Sequence, residues 1–292
     1  MEVSNTKQQH QSASISLTKP VRCIVKLGGA AITCKNELET INEENLKTVS
    51  SQLRQSMTTG SNSGEVLGMD WSKQPGESEI SSTLSDFEDR PVVDSSPFIV
   101  VHGAEGIPSI GMSPFSCGWS TRERNIASAD LSAVAKAIES GLVPVLHGDA
   151  VLDDLLDCTI LSGDAIISHL AAHLKPEYVV FLTDVSGVYD RPPSDPNAVL
   201  LREIAVAKDG SWSIEKPTFQ NKNKQVETSV AAHDTTGGML TKISEAAAIA
   251  KLGIDVYIVK AATSHAFKAF SGELKGNLPE DWLGTAIRFS NK

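Results

Sequence analysis

Strand-length apolar runs that end in glycine or polar turns, separated by helical stretches, constrain this chain more than any other feature. VRCIVKL (21–27), FIVVHG (98–103), VPVLHG (143–148), YVVFLTD (178–184), DVYIVKA (255–261) and GTAIRF (284–289) are β-branched and nearly continuous in apolar character. Runs of that kind are buried on both faces of a sheet rather than on one. Helical patterns lie between them at Ile41–Gln55, Ala127–Ser140, Gly163–Leu174 and Gly237–Leu252, with Gly141 and Gly253 as stops. The expected fold class is therefore α/β, an αβα sandwich around a mainly parallel open sheet. With 292 residues, 40% of them apolar, the chain can build one large core, and no internal repeat divides it.

Two stretches fall outside that pattern. Residues 1–20, rich in Gln, Ser and Thr, read as a disordered tail, with the folded domain running from 21 to 292. Between 61 and 97, eight acidic and two basic residues (Lys73, Arg90) give a net −6 among Ser, Gly and Pro, the composition of a disordered acidic insertion. The formal charge of the whole chain is −10. A field of that sign repels a phosphate backbone and argues against nucleic acid as a partner. No apolar run approaches the roughly 20 residues needed to cross a bilayer, so no membrane role is expected. Cys23, Cys34, Cys117 and Cys158 form no CxxC pair and read as reduced thiols of a cytoplasmic protein.

One junction resists the pattern. FIVV ends at Val101 and a weaker strand candidate, IPSIGM, begins at Ile107. A parallel pair needs a crossover of roughly a dozen residues or more. A segment that should connect these strands is therefore expected to be missing.

Four glycine turns sit where an α/β sheet binds phosphates. Lys26-Leu27-Gly28-Gly29, with Ala30 and Lys35 following, is either a phosphate cradle with two point charges or a plain strand-to-helix turn. Leu161-Ser162-Gly163-Asp164 opens a helix; Asp164 is either a cap or a holder of lysine ammonium groups. Thr183 to Asp190 ends the most apolar strand and offers Asp184 and Tyr189 as polar contacts. Asp234-Thr235-Thr236-Gly237-Gly238-Met239 leads into a helix carrying Lys242, a good anion cradle. Gly148-Asp149, His102 and His147 are weaker candidates. His169 and His173 are four apart on a helix, but nothing completes a metal site, so helix packing is the expected role and no protein metal ligand is assigned. Neither a GxxxxGK[ST] loop nor a GxSxG elbow occurs, which removes P-loop and α/β-hydrolase chemistry.

Taken together, VKLGGAAIT-K, FIVVHGA, PVLHGD, ILSGDAI, FLTDVSGVYD and HDTTGGMLTKISEA resemble the amino acid kinase superfamily in residues and order. Within it the chain most resembles the isopentenyl phosphate kinases, in a plant-like form with the acidic insertion; GMSPFSCGWST supports that placement. The resemblance spans about residues 21–57 and 98–289. It implies transfer of the ATP γ-phosphoryl group to isopentenyl phosphate, giving isopentenyl diphosphate for isoprenoid biosynthesis, with Mg²⁺ on the nucleotide and a homodimeric assembly. It implies that Lys26, Gly28, Gly29 and Ala30 meet the ATP phosphates with Lys35 in support. Lys242 neutralises the transferring group, and Asp164 orients the lysines. Asp184, Tyr189 and Gly238 line the nucleotide, and Gly163 and Ala104 face the acceptor phosphate. Three departures stand out. The family's G-S-F-G-H substrate loop, with its phosphate-binding histidine, does not follow Gly103-Ala104; Glu105 stands there instead; and Ala30 replaces a usual serine. The first coincides with the junction that failed on geometry, so an internal deletion is expected, with an impaired acceptor side. The alternative is a non-catalytic, nucleotide-binding isoform that pairs with full-length subunits.

Overall fold

The computed structural model describes residues 17, 20–33, 40–58, 98–101, 108–217 and 238–290, with the backbone alone at 58, 98–101, 238, 240 and 241. Lys35, His102, Ala104, Glu105, the turn 234–237, the acidic stretch 61–97 and most of the tail lie outside the described residues. In chain order the elements are β1 (Cys23–Leu27), α1 (Gly29–Ile32), α2 (Glu43–Thr58), β2 (Phe98–Val101), β3 (Ser109–Met112), β4 (Ser120–Arg122), β5 (Asn125–Ser128), α3 (Ser132–Glu139) and β6 (Val143–Leu146). Then follow β7 (Asp149–Asp153), β8 (Asp157–Leu161), α4 (Gly163–Leu174), β9 (Tyr178–Thr183), β10 (Glu203–Val206), β11 (Trp212–Lys216), α5 (Gly238–Ala250), β12 (Asp255–Lys260), α6 (Ser264–Ser271) and β13 (Thr285–Phe289).

The main sheet has the order β11-β10-β13-β12-β9-β1-β2-β6-β3. Its central strands β12, β9, β1, β2, β6 and β3 are all parallel, and only the β12–β13 and β10–β11 pairs are antiparallel. The mainly parallel sheet read from the sequence is thus observed. Side-chain alternation sends the residues of β1 to opposite layers. Cys23, Val25 and Leu27 pack with α2 and α6, whereas Ile24 packs with α3, α4 and α5. Lys26, two residues after Ile24, shares that second face. Leu17, inside the stretch read as a disordered tail, also packs against the α3–α4–α5 core.

The structure corrects several boundaries and adds a second sheet. The helix expected over Ala127–Ser140 begins only at Ser132, because Asn125–Ser128 pairs antiparallel with β4 and the Asp130 carboxylate accepts from the Ser132 amide and hydroxyl at 2.8 and 2.7 Å. The four strands β5-β4-β7-β8 form the added sheet, organised around Asp153. Burial opposes charge on that carboxylate. It is nonetheless held well below the usual carboxylate range by the amides of Arg124, Leu155 and Leu156 and the Thr121 hydroxyl. Strand β3 does not pair with β2; β6 lies between them. Seven residues (102–108) link the two, too few for a crossover helix. His169 and His173 stack at 4.1 Å between centroids, with the Trp119 ring edge-on to His169 at 5.5 Å, so this pair serves packing as expected.

The antiparallel end of the main sheet is fastened by Arg288 of β13. Its guanidinium reaches Asp255 of β12 at 3.1 Å and Glu203 of β10 at 3.3 Å, and donates to the carbonyls of Leu274 and Gly276 at 2.8 and 2.9 Å. Arg288→Met keeps the stem but strands two carboxylates and two carbonyls. It should cost about 2–4 kcal/mol in urea unfolding. A loss under about 1 kcal/mol would mean that this network behaves like an exposed ion pair.

Candidate active site

The strand order reverses at β1 and β9: the chain goes from β1 to β2 and β6 on one side, and from β9 to β12 on the other. The crevice beyond the carboxyl ends of such strands is where open α/β sheets bind ligands. The Gly28 amide donates to the Leu182 carbonyl at 3.0 Å and closes that crevice. A Cβ on Gly28 would lie 2.9 Å from the same carbonyl, so a larger residue would push the turn off β9. Gly29 and Ala30 are exposed beyond it, and a Cβ on Gly29 would meet nothing within 4 Å. One glycine is thus required by close backbone approach, and the next leaves open space at the mouth.

Lys26 is the charged centre of the site. Its ammonium is paired with Asp164, and both side chains are nearly buried. Beneath it lies the ring of Phe181, its cross-strand partner, with the ammonium 5.7 Å from the centroid. Asp164 is in the first turn of α4, where the helix dipole favours a carboxylate. The cap is Ser162, whose hydroxyl accepts from the Ala165 amide at 3.2 Å. The cap position is thus taken by Ser162, and Asp164 is paired with Lys26. Burial, and next the neighbouring Lys242 ammonium, lower the Lys26 pKa to about 8, while Glu245 acts in the opposite direction. Lys242 is therefore close enough to Lys26 for the two cations to repel.

The remaining candidates divide clearly. Asp184 follows β9 directly and accepts from the Thr183 hydroxyl at 3.1 Å, which puts it at the crevice. Tyr189 is half-buried and bridges to Leu200. Its loop is anchored by Asp190, which accepts from the Val199 amide at 2.8 Å, and by the Val188 amide donating to Thr285 at 2.8 Å. Gly238 opens α5, and Gly163 opens α4 beside Gly148, whose added Cβ would lie 3.2 Å from the Gly163 nitrogen. His147 is exposed and its Nδ1 lies 3.3 Å from the Gly148 carbonyl oxygen. Asp149 accepts from Ser113 at 2.9 Å, and that bond lowers its pKa. Lys35 and Ala104 lie outside the described residues. Sequence reasoning missed Phe181 beneath the lysine, and Glu245 with its partner Ser168. Glu245 stands three residues after Lys242, but that spacing alone says nothing about what it faces.

Residues 80–260 match the Amino acid kinase family. An isopentenyl phosphate kinase from Arabidopsis thaliana is 58% identical, in an alignment covering 95% of this chain and 98% of that protein. That alignment spans 326 positions against 292 residues here, so at least 34 positions of it hold no residue of this chain. The isopentenyl phosphate kinase of Methanothermobacter thermautotrophicus is 31% identical, over 91% of this chain and 96% of that one. Among solved structures, an isopentenyl phosphate kinase superposes with a TM-score of 0.58 at 24% identity, over 91% of this chain and 99% of the other. A product complex of the Thermoplasma acidophilum enzyme gives 0.56 at 19%, over 92% and 100%. At those identities the structural likeness concerns the fold.

The buried lysine makes a direct prediction. Lys26 is charged below its folded pKa of about 8 and neutral above it. Amine-selective acylation read by mass spectrometry should therefore show Lys26 turning reactive as pH rises through about 8, well before the exposed lysines near their usual 10.4. Because the unfolded chain still holds that proton between 8 and 10.5, folding stability gains from this group as pH rises across the same window. A Lys26 midpoint near 10 would remove both the burial and the Lys242 repulsion from the account.

Proposed function

Since the chain belongs to the isopentenyl phosphate kinases of the amino acid kinase family, we propose that it transfers the γ-phosphoryl group of ATP to isopentenyl phosphate at the Lys26–Asp164–Lys242 site. The observation that carries this reading is a buried lysine, paired with a helix-start aspartate and crowded by a second lysine, at the point where the strand order reverses. Among the described residues the two lysines have one direct carboxylate partner, Asp164, so a bound anion would complete the charge balance. In the transfer, the bond from the γ-phosphorus to the β,γ-bridging oxygen breaks and one to an acceptor phosphate oxygen forms, leaving ADP and isopentenyl diphosphate. The acceptor oxygen is already ionised at neutral pH, so no general base is required. Positioning and charge stabilisation supply the catalysis.

Each residue then has a task. The exposed Gly29 and Ala30 let the nucleotide phosphates approach the backbone; Lys26 and Lys242 stabilise the charge that moves between donor and acceptor; Asp164 keeps Lys26 directed at it. Asp184 and Tyr189 face the nucleoside side with Gly238, and Gly163 offers the start of α4 to the acceptor phosphate. Lys35 and Ala104 would add to the two sides. Among the described residues no group of three or more His, Cys, Asp or Glu is arranged to hold a metal ion. With Asp164 already committed to Lys26, the residues fit a Mg²⁺ ion carried on ATP oxygens, which would draw charge from the γ-phosphate.

The acceptor side is where we expect the rate to suffer. The short 102–108 link, together with alignment positions that have no counterpart here, supports an internal deletion next to β2. A homodimer is also proposed. The second sheet exposes Leu152, Leu155, Leu156 and Ile160, an apolar patch that a subunit contact would cover. A cytoplasmic setting accords with the free Cys23, Cys117 and Cys158, and no described helix is long and apolar enough to cross a membrane. The alternative of a non-catalytic isoform gains nothing from relatives that are themselves named kinases.

³¹P NMR of the purified chain with ATP, Mg²⁺ and isopentenyl phosphate should show a diphosphate signal growing more slowly than with the Arabidopsis relative. Lys26→Ala or Lys242→Ala should abolish it, and should also abolish the rise in melting temperature that ATP·Mg²⁺ gives the parent protein. No diphosphate from folded, ATP-binding protein would sink the reading.

A further inference from the structure

Glu245 is a half-buried carboxylate on α5 that the roles above leave unused. It accepts a hydrogen bond of 2.6 Å from Ser168 of α4. On α4, Asp164 and Ser168 are four residues apart and so share a face; on α5, Lys242 and Glu245 are three apart and do the same. Each helix leads into one of two parallel neighbouring strands, β9 and β12, so both start at the crevice and run away from it together. The site residues Asp164 and Lys242 therefore lie nearest the crevice, and Ser168 and Glu245 meet about one turn, or 5 Å, behind them.

We propose that the Ser168–Glu245 hydrogen bond is a positioning latch: it fixes the axial register of α5 on α4 and thereby the distance of Lys242 from the Lys26–Asp164 pair. This inference rests on the phosphoryl-transfer reading of the site. Its physical basis is that, among the described residues, no other side-chain hydrogen bond or ion pair joins these two helices. Both helices contribute to one apolar core, with Ile167, Leu170 and Ala171 of α4 and Ile243, Ala246 and Ala250 of α5 among its buried residues. Apolar burial is non-directional, so it sets the axial register less sharply than a hydrogen bond does. A short hydrogen bond to a carboxylate loses most of its strength when stretched by about an ångström. Lys242 sits one turn from the bond on a rigid helix, so slip of α5 moves its ammonium by the same amount. Charge points the same way. Two lysines and Asp164 leave one positive charge in excess, and Glu245 offsets part of it from behind, where its oxygen accepts from Ser168.

The test uses Ser168→Ala, Ser168→Thr, Glu245→Ala and the Ser168→Ala/Glu245→Ala pair in the full chain. Two readouts are taken: steady-state kinetics, and the pH midpoint of Lys26 acylation, which needs no turnover. Ser168→Ala and Glu245→Ala should each lower kcat on the order of ten- to a hundredfold, with KM for ATP changing far less. The double variant should be no worse than the poorer single one, because both break the same bond. Ser168→Thr, which keeps the hydroxyl, should retain activity. The Lys26 midpoint should shift in Ser168→Ala, although that variant still carries the Glu245 charge, because slip of α5 changes the Lys242 distance. An unchanged midpoint in Ser168→Ala, or losses that multiply in the double variant, would overturn the latch. If an alanine variant unfolds, the milder Glu245→Gln still decides: it keeps an acceptor for Ser168, so it should hold kcat near the parent value, and a loss as large as that expected for Ser168→Ala would count against the latch. Absence of turnover in the parent chain would refute the functional reading alone, and the acylation midpoint would still judge the latch.

Discussion

A lysine ammonium buried in a sheet must find a counter-charge or give up its proton, and the pairing of Lys26 with Asp164 is how this fold meets that demand. The pair ties strand β1 to the first turn of α4 across the sheet face. Asp164 tolerates burial because it stands at a helix N-terminus, and Ser162 leaves it free by taking the cap. Lys26 tolerates burial because Phe181 presents an aromatic face below it. The compensation is incomplete, since Lys242 stands close enough to lower the Lys26 pKa. In the proposed function a polyphosphate would relieve that residual repulsion. An anion entering the crevice stabilises both ammonium groups at once, so in the proposed reaction binding and activation draw on the same interaction.

Much of this arrangement was legible in the sequence, because it follows from period and parity. In CIVKL, Ile24 faces the α3–α4–α5 core, so Lys26 must face it too, toward α4 and α5. The glycines after β1 mark the close approach to β9, and the SGD stretch marks a helix start. The long buried strands were read within a residue or two of their observed ends. The missing part of the reading was relational. No spacing tells that Ser168 meets Glu245, because the partners are 77 residues apart and belong to separate helices. The same holds for Phe181, which reads as one more core residue of YVVFLT until the register of β1 on β9 sets it under Lys26.

The second sheet escaped for another reason. Its strands β7 and β8 expose Leu152 and Ile160, so they lack the alternation of buried and polar residues by which a half-buried strand is recognised. What shapes them is local and polar. Asp153 collects the amides of Glu123, Arg124, Leu155 and Leu156 together with the Thr121 hydroxyl, and Asp157 turns the chain with a φ of 62°. Helix α6 was missed because eight residues carry little periodic signal. Its boundaries were nonetheless written in the chain: Thr263 accepts from the Ala266 amide at 3.2 Å, and Gly272 takes a left-handed φ of 81°.

The edge of the sheet beyond β2 bears most directly on the chemistry. An acceptor pocket beside a parallel sheet is normally walled by the connection that leaves one strand and returns to start the next. Here β6 separates β2 from β3, β2 meets β6 through one paired position, Val100 with Val145, and only seven residues join β2 to β3. Seven residues are fewer than the dozen or so that a helical crossover between parallel strands needs. The donor side depends on β1, β9, α4 and α5, which pack into one continuous core and are untouched by that shortening. The two halves of the proposed reaction therefore rest on parts of the fold with unequal support. In that proposal ATP would meet the charged crevice at Lys26 and Lys242, and the acceptor would meet the start of α4. Loss of rate through poor acceptor placement, with nucleotide binding preserved, is the defect we propose for such an edge.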